Sequence, residues 1–347
     1  MGYSNRRRKN RIVVLVLFFL TIVTGLFAIT QGSVKIPIGD VFRVFVHGFR
    51  DTSEISGIKG SHLFIIENIR LPRILMSFVV GGVLSIVGAS FQAIFKNPMA
   101  DPFVMGVSSG AAFGATMGIV MGISTNLLGL GTISTLAFFG ALSTVLIVYS
   151  LARVGTKIST TSILLAGIVM NSLLTSIISL VMILNQEDIA KIVTWTMGSF
   201  NAASWDQVHM ILLPSLIGFV LLMIKARDLN AIVMGEEDAQ NMGVNVEMTK
   251  KLVLMYASFL IAFSVSVSGI IGFVGLIIPH LLRLLLGSDH RVLLPASFFG
   301  GAFFLIACDT IARSLVPNME IPVGIVTAVF GGPFFLYLLN KNKKSLI

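Results

Sequence analysis

The sequence predicts an all-α, polytopic membrane protein of about ten transmembrane helices with both termini in the cytoplasm. Three features of the chain point to it. Its 347 residues are 55% hydrophobic and only 12% charged, with a mean hydropathy of +0.93, whereas a soluble domain carries roughly 25% charged residues. The apolar residues are gathered in charge-free runs, each near the roughly 20 residues that span a bilayer. Lys and Arg are divided unevenly between the segments separating these runs, the asymmetry that orients a membrane protein with its basic loops inside.

The chain opens with Arg6, Arg7, Arg8, Lys9 and Arg11, and residues 12–34 then carry no charge. That run is longer than the apolar region of a signal peptide and suffices for an uncleaved first helix, its N-terminus inside. Residues 35–73 form a long outer loop in this reading. Further charge-free runs cover 74–95, 102–152, 158–186, 207–224, 252–282, 292–308 and 321–340. The run 102–152 holds two helices, turning near Ser124, Thr125 and Asn126. The run 252–282 fits either one long helix or two short ones broken at Ser268-Gly269. The basic tail Lys341, Lys343 and Lys344 decides for two, because a C-terminus inside requires an even number of crossings. Of the 25 Lys and Arg, 17 then lie inside and eight outside, six of those eight within 35–73.

Two glycine patterns predict close helix contacts. Gly106, Gly110, Gly114, Gly118 and Gly122 recur every fourth residue, leaving one helix face as bare backbone. Gly81, Ser85 and Ala89 give the preceding helix a similar face.

The longest polar segment of the second half, 226–251, falls in the cytoplasm. Asp228 is placed to N-cap a short helix that stops at Gly235. Glu236, Glu237 and Asp238 favour the start of a second helix, and Gly243 supplies its left-handed end. Five acids and one base lie between Arg227 and Glu247, in a chain of net charge +9. Such an acidic island suits either a partner surface or a plain solvated loop.

Other chemistries are missing from the sequence. The five histidines are scattered, with no His-Glu-x-x-His or paired Cys/His spacing, so neither a metal site nor a catalytic residue is assigned. No phosphate-binding glycine loop is present, so an ATPase has to be a separate chain. The positive charge follows topology, which argues against nucleic acid as a partner. Cys308 is the only cysteine and excludes an intramolecular disulfide. Asp309 is the one candidate intramembrane acid, with Arg313 as its expected partner four residues on. Uncharged polar residues, namely Gln92, Ser108, Ser109, Asn171, Ser172, Thr175 and Ser176, either line a path for a bulky polar solute or bond neighbouring helices.

Several stretches together resemble the ferric-siderophore and vitamin B12 (FecCD-type) permease family of ABC importers. They are Arg70-Leu71-Pro72-Arg73, the run 88–102 ending in Lys96-Asn97-Pro98-Met99-Ala100-Asp101-Pro102, and Gly106-Val107-Ser108-Ser109-Gly110-Ala111. Leu165-Ala166-Gly167, Trp195-Thr196-Met197-Gly198-Ser199-Phe200 and the long run 269–280 follow. Asp289-His290-Arg291, Asp309-Thr310-Ile311-Ala312-Arg313 and the run 320–328 close the series. The resemblance covers the chain from Arg70 to the last helix.

That resemblance implies one permease domain over 1–347 in a bacterial cytoplasmic membrane. A second permease subunit, identical or paralogous, completes the pathway. Two ATPase subunits hold the ATP-Mg, this chain binding no cofactor, and a substrate-binding protein delivers the ligand from outside. The implied ATPase-coupling residues are Asp228, Ala231, Met234, Gly235, Glu236, Glu237, Ala239, Met242 and Gly243. Arg70, Arg73 and Arg313 fall at positions that dock the binding protein. Gln92, Ser108, Ser109, Asn171 and Ser172 are the candidates for the path. The expected cargo is a ferric siderophore, with haem or cobalamin as alternatives. An ion-coupled secondary transporter is the alternative of another class, and it requires titratable groups near the midplane. Residues 55–61 lengthen the outer loop with Gly and Ser, a departure from the family pattern.

Overall fold

Charge-free stretches of the required length form helices in the computed structural model, which describes residues 3–47, 59–122, 126–127, 130–154, 157–316 and 319–343. Among the described residues seven helices are long and apolar enough to cross a membrane. They are α1 (Tyr3–Thr30), α4 (Leu71–Ile94, with the turns preceding it), α6 (Thr132–Ala152), α7 (Thr160–Leu184), α9 (Trp205–Ile224), α12 (Val246–Ser268) and α14 (His290–Ala312). Three shorter apolar helices complete ten: α5 (Val107–Met121), α13 (Val274–Leu286) and α15 (Val323–Lys343). An even number of crossings returns the C-terminus to the side of the N-terminus.

The remaining elements lie at the ends of these helices. They are α2 (Ile38–His47), α8 (Ile189–Thr196), α10 (Ala226–Met234) and α11 (Glu236–Asn241). Two small antiparallel hairpins, β1 (Asn126–Leu127) with β2 (Leu130–Gly131) and β3 (Arg153–Val154) with β4 (Lys157–Ile158), close the turns on either side of α6.

The break expected at Ser268-Gly269 is present. Gly269 takes φ +67°, and a Cβ there would lie 2.3 Å from the Trp195 carbonyl oxygen. A side chain is therefore excluded both by conformation and by space.

The outer loop is shorter than the charge pattern predicts. The second span starts at Gly60: α3 (Gly60–Phe64) runs through a π-helical stretch (Ile65–Arg70) into α4. Glu67, Arg70 and Arg73 therefore lie within a continuous helix, and the last two are buried. Charges paired inside a fold look like loop charges in a one-dimensional pattern. Most of the Gly/Ser insertion at 55–61 lies outside the described residues.

Helix α4 is the centre of the bundle. Of its most apolar window 89% is buried, against 17% for α1 and α7. It packs on α14, α13, α12 and α9. At its crossing with α14, a Cβ on Gly81 would sit 2.4 Å from the Gly301 carbonyl oxygen, so the two backbones touch. The α5–α6 crossing uses the same device. A Cβ on Gly110 would be 2.5 Å from Gly140 O, and one on Gly114 2.0 Å from Leu136 O. The five-glycine face is shorter than the pattern suggests, however. A Cβ on Gly118 would come no nearer than 3.1 Å, to Ile133 Cα, while Gly106 (φ +73°) and Gly122 (φ +61°) flank the helix as left-handed end residues.

Candidate functional site

The segment after α9 folds as two short helices, each followed by a glycine. Gly235 separates α10 from α11, and Gly243, at φ +85°, ends α11. The Gly243 and Val244 amides bond the Gln240 and Ala239 carbonyls, both at 2.9 Å. Asn245 then caps α12, its Oδ1 accepting the Met248 amide at 3.0 Å. The expected role of Asp228 needs correction. Helix α10 starts three residues earlier than that cap implies, after Lys225. Asp228 lies in its first turn, where Oδ2 accepts from Lys225 Nζ at 2.9 Å and from Thr249 Oγ1 at 3.2 Å.

The two helices have distinct faces. Leu229, Ala231, Ile232 and Ala239 are buried against the body. Met234, Glu237, Met242 and Gly243 are exposed, and Met234 is 73% accessible. Of the residues expected to couple, Asp228, Ala231 and Ala239 thus hold the segment in place, while the others form its outer face. Gly235 and Glu236 are half-buried between them.

Polar side chains fix this segment to two transmembrane helices, α12 and α14. The buried Lys250 of α12 pairs with Glu236 at 2.7 Å. Asn230 reaches the turn between α13 and α14: its Nδ2 donates to Asp289 Oδ1, and its Oδ1 accepts from the His290 amide and Nδ1, all at 2.8 Å. A carbonyl oxygen only accepts, so the His290 proton resides on Nδ1. Asp289 also caps α14 and holds Arg291 at 2.9 and 3.0 Å. The Arg291 bonds, then Asn230, keep its carboxyl down at about 2. Asn230 and Lys250 escape sequence reasoning, because an Asn inside a short helix and a Lys at a helix start both look like solvated residues.

At the opposite end of the bundle lies a buried charge cluster. Arg73 donates from Nε and Nη2 to Asp309 at 2.9–3.0 Å, and from Nη1 to Glu320 at 2.8 Å. Arg313, four residues after Asp309, stands 3.6 Å from it. Asp309 therefore belongs to Arg73 first, correcting the local pair expected from spacing. Arg70 donates to the Ile29 and Val34 carbonyls, and Arg313 to that of Ala28. Relative exposures of Arg70, Arg73 and Arg313 are 3%, 4% and 4%. In this chain all three guanidiniums are buried within the bundle rather than open at its outer face. Their guanidiniums bind the end of α1, the start of α4 and the end of α14 together, and Glu320, at 36% side-chain exposure, is the open member.

The candidate path residues are not brought together. Gln92 is buried at the inner end of α4, its Nε2 donating to Leu276 O at 3.1 Å. Ser109 is buried and bonds Gly106 O at 3.0 Å, and Ser108 is half-buried. Asn171 and Ser172 are exposed on α7 with Thr175, Ser176 and Ser179. Spacing of three, four and seven residues puts Asn171, Thr175 and Ser179, with Ser172 and Ser176 beside them, on one side of that helix. The buried residues Ile163, Gly167, Leu174 and Ile178 occupy the adjoining face.

Ten spanning helices, few intramembrane charges and a folded cytoplasmic helix pair fixed to the bundle define a multi-pass permease. The chain belongs to the FecCD transport family, whose model matches residues 20–341. It is 40% identical to an uncharacterised ABC transporter permease protein of Bacillus subtilis, over 98% of this chain and 97% of that one. It is 43% identical to the cobalamin import system permease protein of Halobacterium salinarum (83% and 76% covered) and 39% identical to the hemin transport system permease protein of Yersinia pestis (80% and 84%). Its fold resembles an inward-facing ABC transporter of the metal-chelate type, with a TM-score of 0.81, 31% identity and 95% and 99% of the two chains covered. The chain is thus a permease of an ABC importer in a cell membrane.

Proposed function

We propose that this permease moves a metal chelate, a ferric siderophore first of all, into the cell through a pathway it forms with a second permease subunit. Two separate ATPase subunits drive it by pushing on α10–α11, and a substrate-binding protein delivers the cargo. The observation carrying this reading is the helix pair itself. Its apolar residues are buried, its outer face offers two exposed methionines beside acids, and its polar residues fix it to α12 and α14. A solvated loop has no use for such fixation. A lever has, because a push on one rigid element then moves several helices together.

The exposed side of α7 supports a bulky, polar and uncharged path. Five hydroxyl or amide side chains there lie unburied on a membrane helix, an unfavourable arrangement against lipid. Haem and cobalamin are the second reading, favoured by the hemin and cobalamin permeases of Yersinia and Halobacterium among this chain's relatives. The test is uptake into proteoliposomes holding this chain, its ATPase and its binding protein. A panel of iron-55 siderophores, haem and cobalamin identifies the cargo. Uptake of a siderophore dependent on ATP supports the first reading, and uptake without the ATPase overturns the ABC mechanism.

A further inference from the structure

A cavity of about 260 Å³ opens beside the coupling segment, between the inner ends of α4 and α13, the start of α14, and α10. It is lined by Gln92, Lys96, Val233, Arg283, Ser288 and His290 among others, with no carboxylate in its wall. We propose that this pocket binds a phosphate group. The inference is independent of which cargo the permease carries.

Two buried polar atoms of the lining lack partners. His290 is 1% exposed and its Nε2 bonds nothing, while Nδ1 is committed to Asn230. Gln92 is 3% exposed and its Oε1 bonds nothing. The amide cannot be turned to help, since Nε2 donates to Leu276 O and lies 3.5 Å from Gly275 O. The pocket therefore offers two cations and two buried acceptors in need of donors, Gln92 Oε1 and the Nε2 of His290, an imidazole that burial and Arg283 keep neutral. A carboxylate satisfies the cations but leaves Gln92 unpaired. Phosphate oxygens satisfy Lys96 and Arg283. Hydroxyls then serve Gln92 Oε1 and His290 Nε2, either those of dihydrogen phosphate or those of a glycerol headgroup on an anionic lipid. Basic pockets between helices at the cytoplasmic boundary are suited to headgroup phosphates.

Lys96 adds a backbone argument. It ends α4 with φ +48°, its amide bonding Ala93 O and the next amide bonding Gln92 O. This is the Schellman end in which glycine is usual, and a lysine there costs roughly 1 kcal/mol or more. A lysine retained at a glycine position, beside Arg283 and His290, points to work for its side chain.

The test uses the full transporter in nanodiscs. Thermal unfolding is followed in phosphatidylcholine discs with inorganic phosphate against chloride at equal ionic strength, and in discs containing phosphatidylglycerol. The wild type is expected to gain roughly 2–4 °C from one of them. A gain from inorganic phosphate identifies the free ion, and a gain from phosphatidylglycerol alone identifies the headgroup. Lys96→Gly relieves the backbone, so it folds at least as well as wild type while losing the gain. Arg283→Gln loses it too. No gain in either arm, or a full gain in Lys96→Gly, overturns the proposal.

Discussion

Asn230 Oδ1 accepts two hydrogen bonds from His290, one from its backbone amide and one from Nδ1, each 2.8 Å long. The pair joins the cytoplasmic helix α10 to the first residue of α14, whose far end carries Asp309 and, through it, Arg73 of α4. A displacement of α10 is thus transmitted to the inner end of a helix that reaches the outer face. Asp289, bonded to Asn230 and Arg291, completes the junction.

Asn230→Ala removes the acceptor of two donors and the donor to Asp289. Each group left unsatisfied costs about 1–3 kcal/mol, so some loss of thermal stability is expected. The diagnostic effect is uncoupling. In proteoliposomes ATP hydrolysis persists while uptake falls about tenfold or more. Wild-type uptake by this variant shows that α10 moves the bundle through other contacts.

Gly243→Val places a β-branched side chain at φ +85°, although no atom lies within 4 Å of its would-be Cβ. The cost is conformational, roughly 1–2 kcal/mol, and stays local to the end of α11. Membrane abundance should therefore be near normal, with coupled uptake reduced. Abundance lost along with uptake means the turn is needed for folding instead.

The glycines of α5 give a graded series. Gly114→Ala drives a methyl to 2.0 Å from a backbone oxygen, which only a separation of α5 and α6 relieves. Gly118→Ala needs a shift of a few tenths of an ångström, and Gly122→Ala meets no atom and carries only the strain of φ +61°. Membrane abundance should rank Gly122→Ala and Gly118→Ala well above Gly114→Ala. Equal abundance across the three removes the close-contact explanation.

What the sequence disclosed, and what it hid, divides by the range of the interaction. Helix number, the break at Gly269 and the two-helix form of 226–245 depend on local composition, on glycine and on charge asymmetry, all visible in one dimension. The start of the second span was hidden because Arg70 and Arg73 are satisfied by residues far along the chain, Ile29, Val34, Asp309 and Glu320. Asn230 was hidden for the same reason, as its partners lie 59 and 60 residues away. The glycine stripe was visible, but which of its members touch backbone depends on where α6 crosses.

Two aspartates in the cytoplasmic turns give opposite pH responses. The Asp289 carboxyl is held down at about 2, so its contribution to stability is complete above the ordinary value near 4 and is lost as pH falls toward 2. Burial, against one bond from the Phe103 amide, raises Asp101 to about 6 from an ordinary 3.8. Ionised Asp101 therefore destabilises the fold, a cost absent below pH 4 and complete above 6. Asp101→Asn keeps the acceptor for the Phe103 amide and removes the charge. It should stabilise the fold at pH 7 but not at pH 4, by roughly 1 kcal/mol after allowance for solvent screening, read as a higher unfolding temperature. An equal effect at both pH values traces the change to packing rather than charge.

The outer cluster distinguishes a docking site from an internal tie. Arg73 and Asp309 are almost fully buried, and removing one member of such a pair costs about 3–5 kcal/mol, since the other charge stays unpaired in a medium of low dielectric. Arg73→Glu adds a third acid to Asp309 and Glu320 and is the harshest change available. It should lower membrane abundance and thermal stability, and added salt should not mimic it, because buried pairs are screened little. Replacing both partners, Arg73→Met with Asp309→Leu, leaves no orphan charge and should recover much of the abundance. Glu320→Gln touches the exposed edge and should change stability by about 0–1 kcal/mol. A docking role for Arg73 predicts the reverse pattern, in which Arg73→Glu inserts normally and captures the binding protein slowly, with a wild-type capture rate that falls as salt rises. Abundance in membranes, measured beside capture rate at two salt concentrations, decides between them.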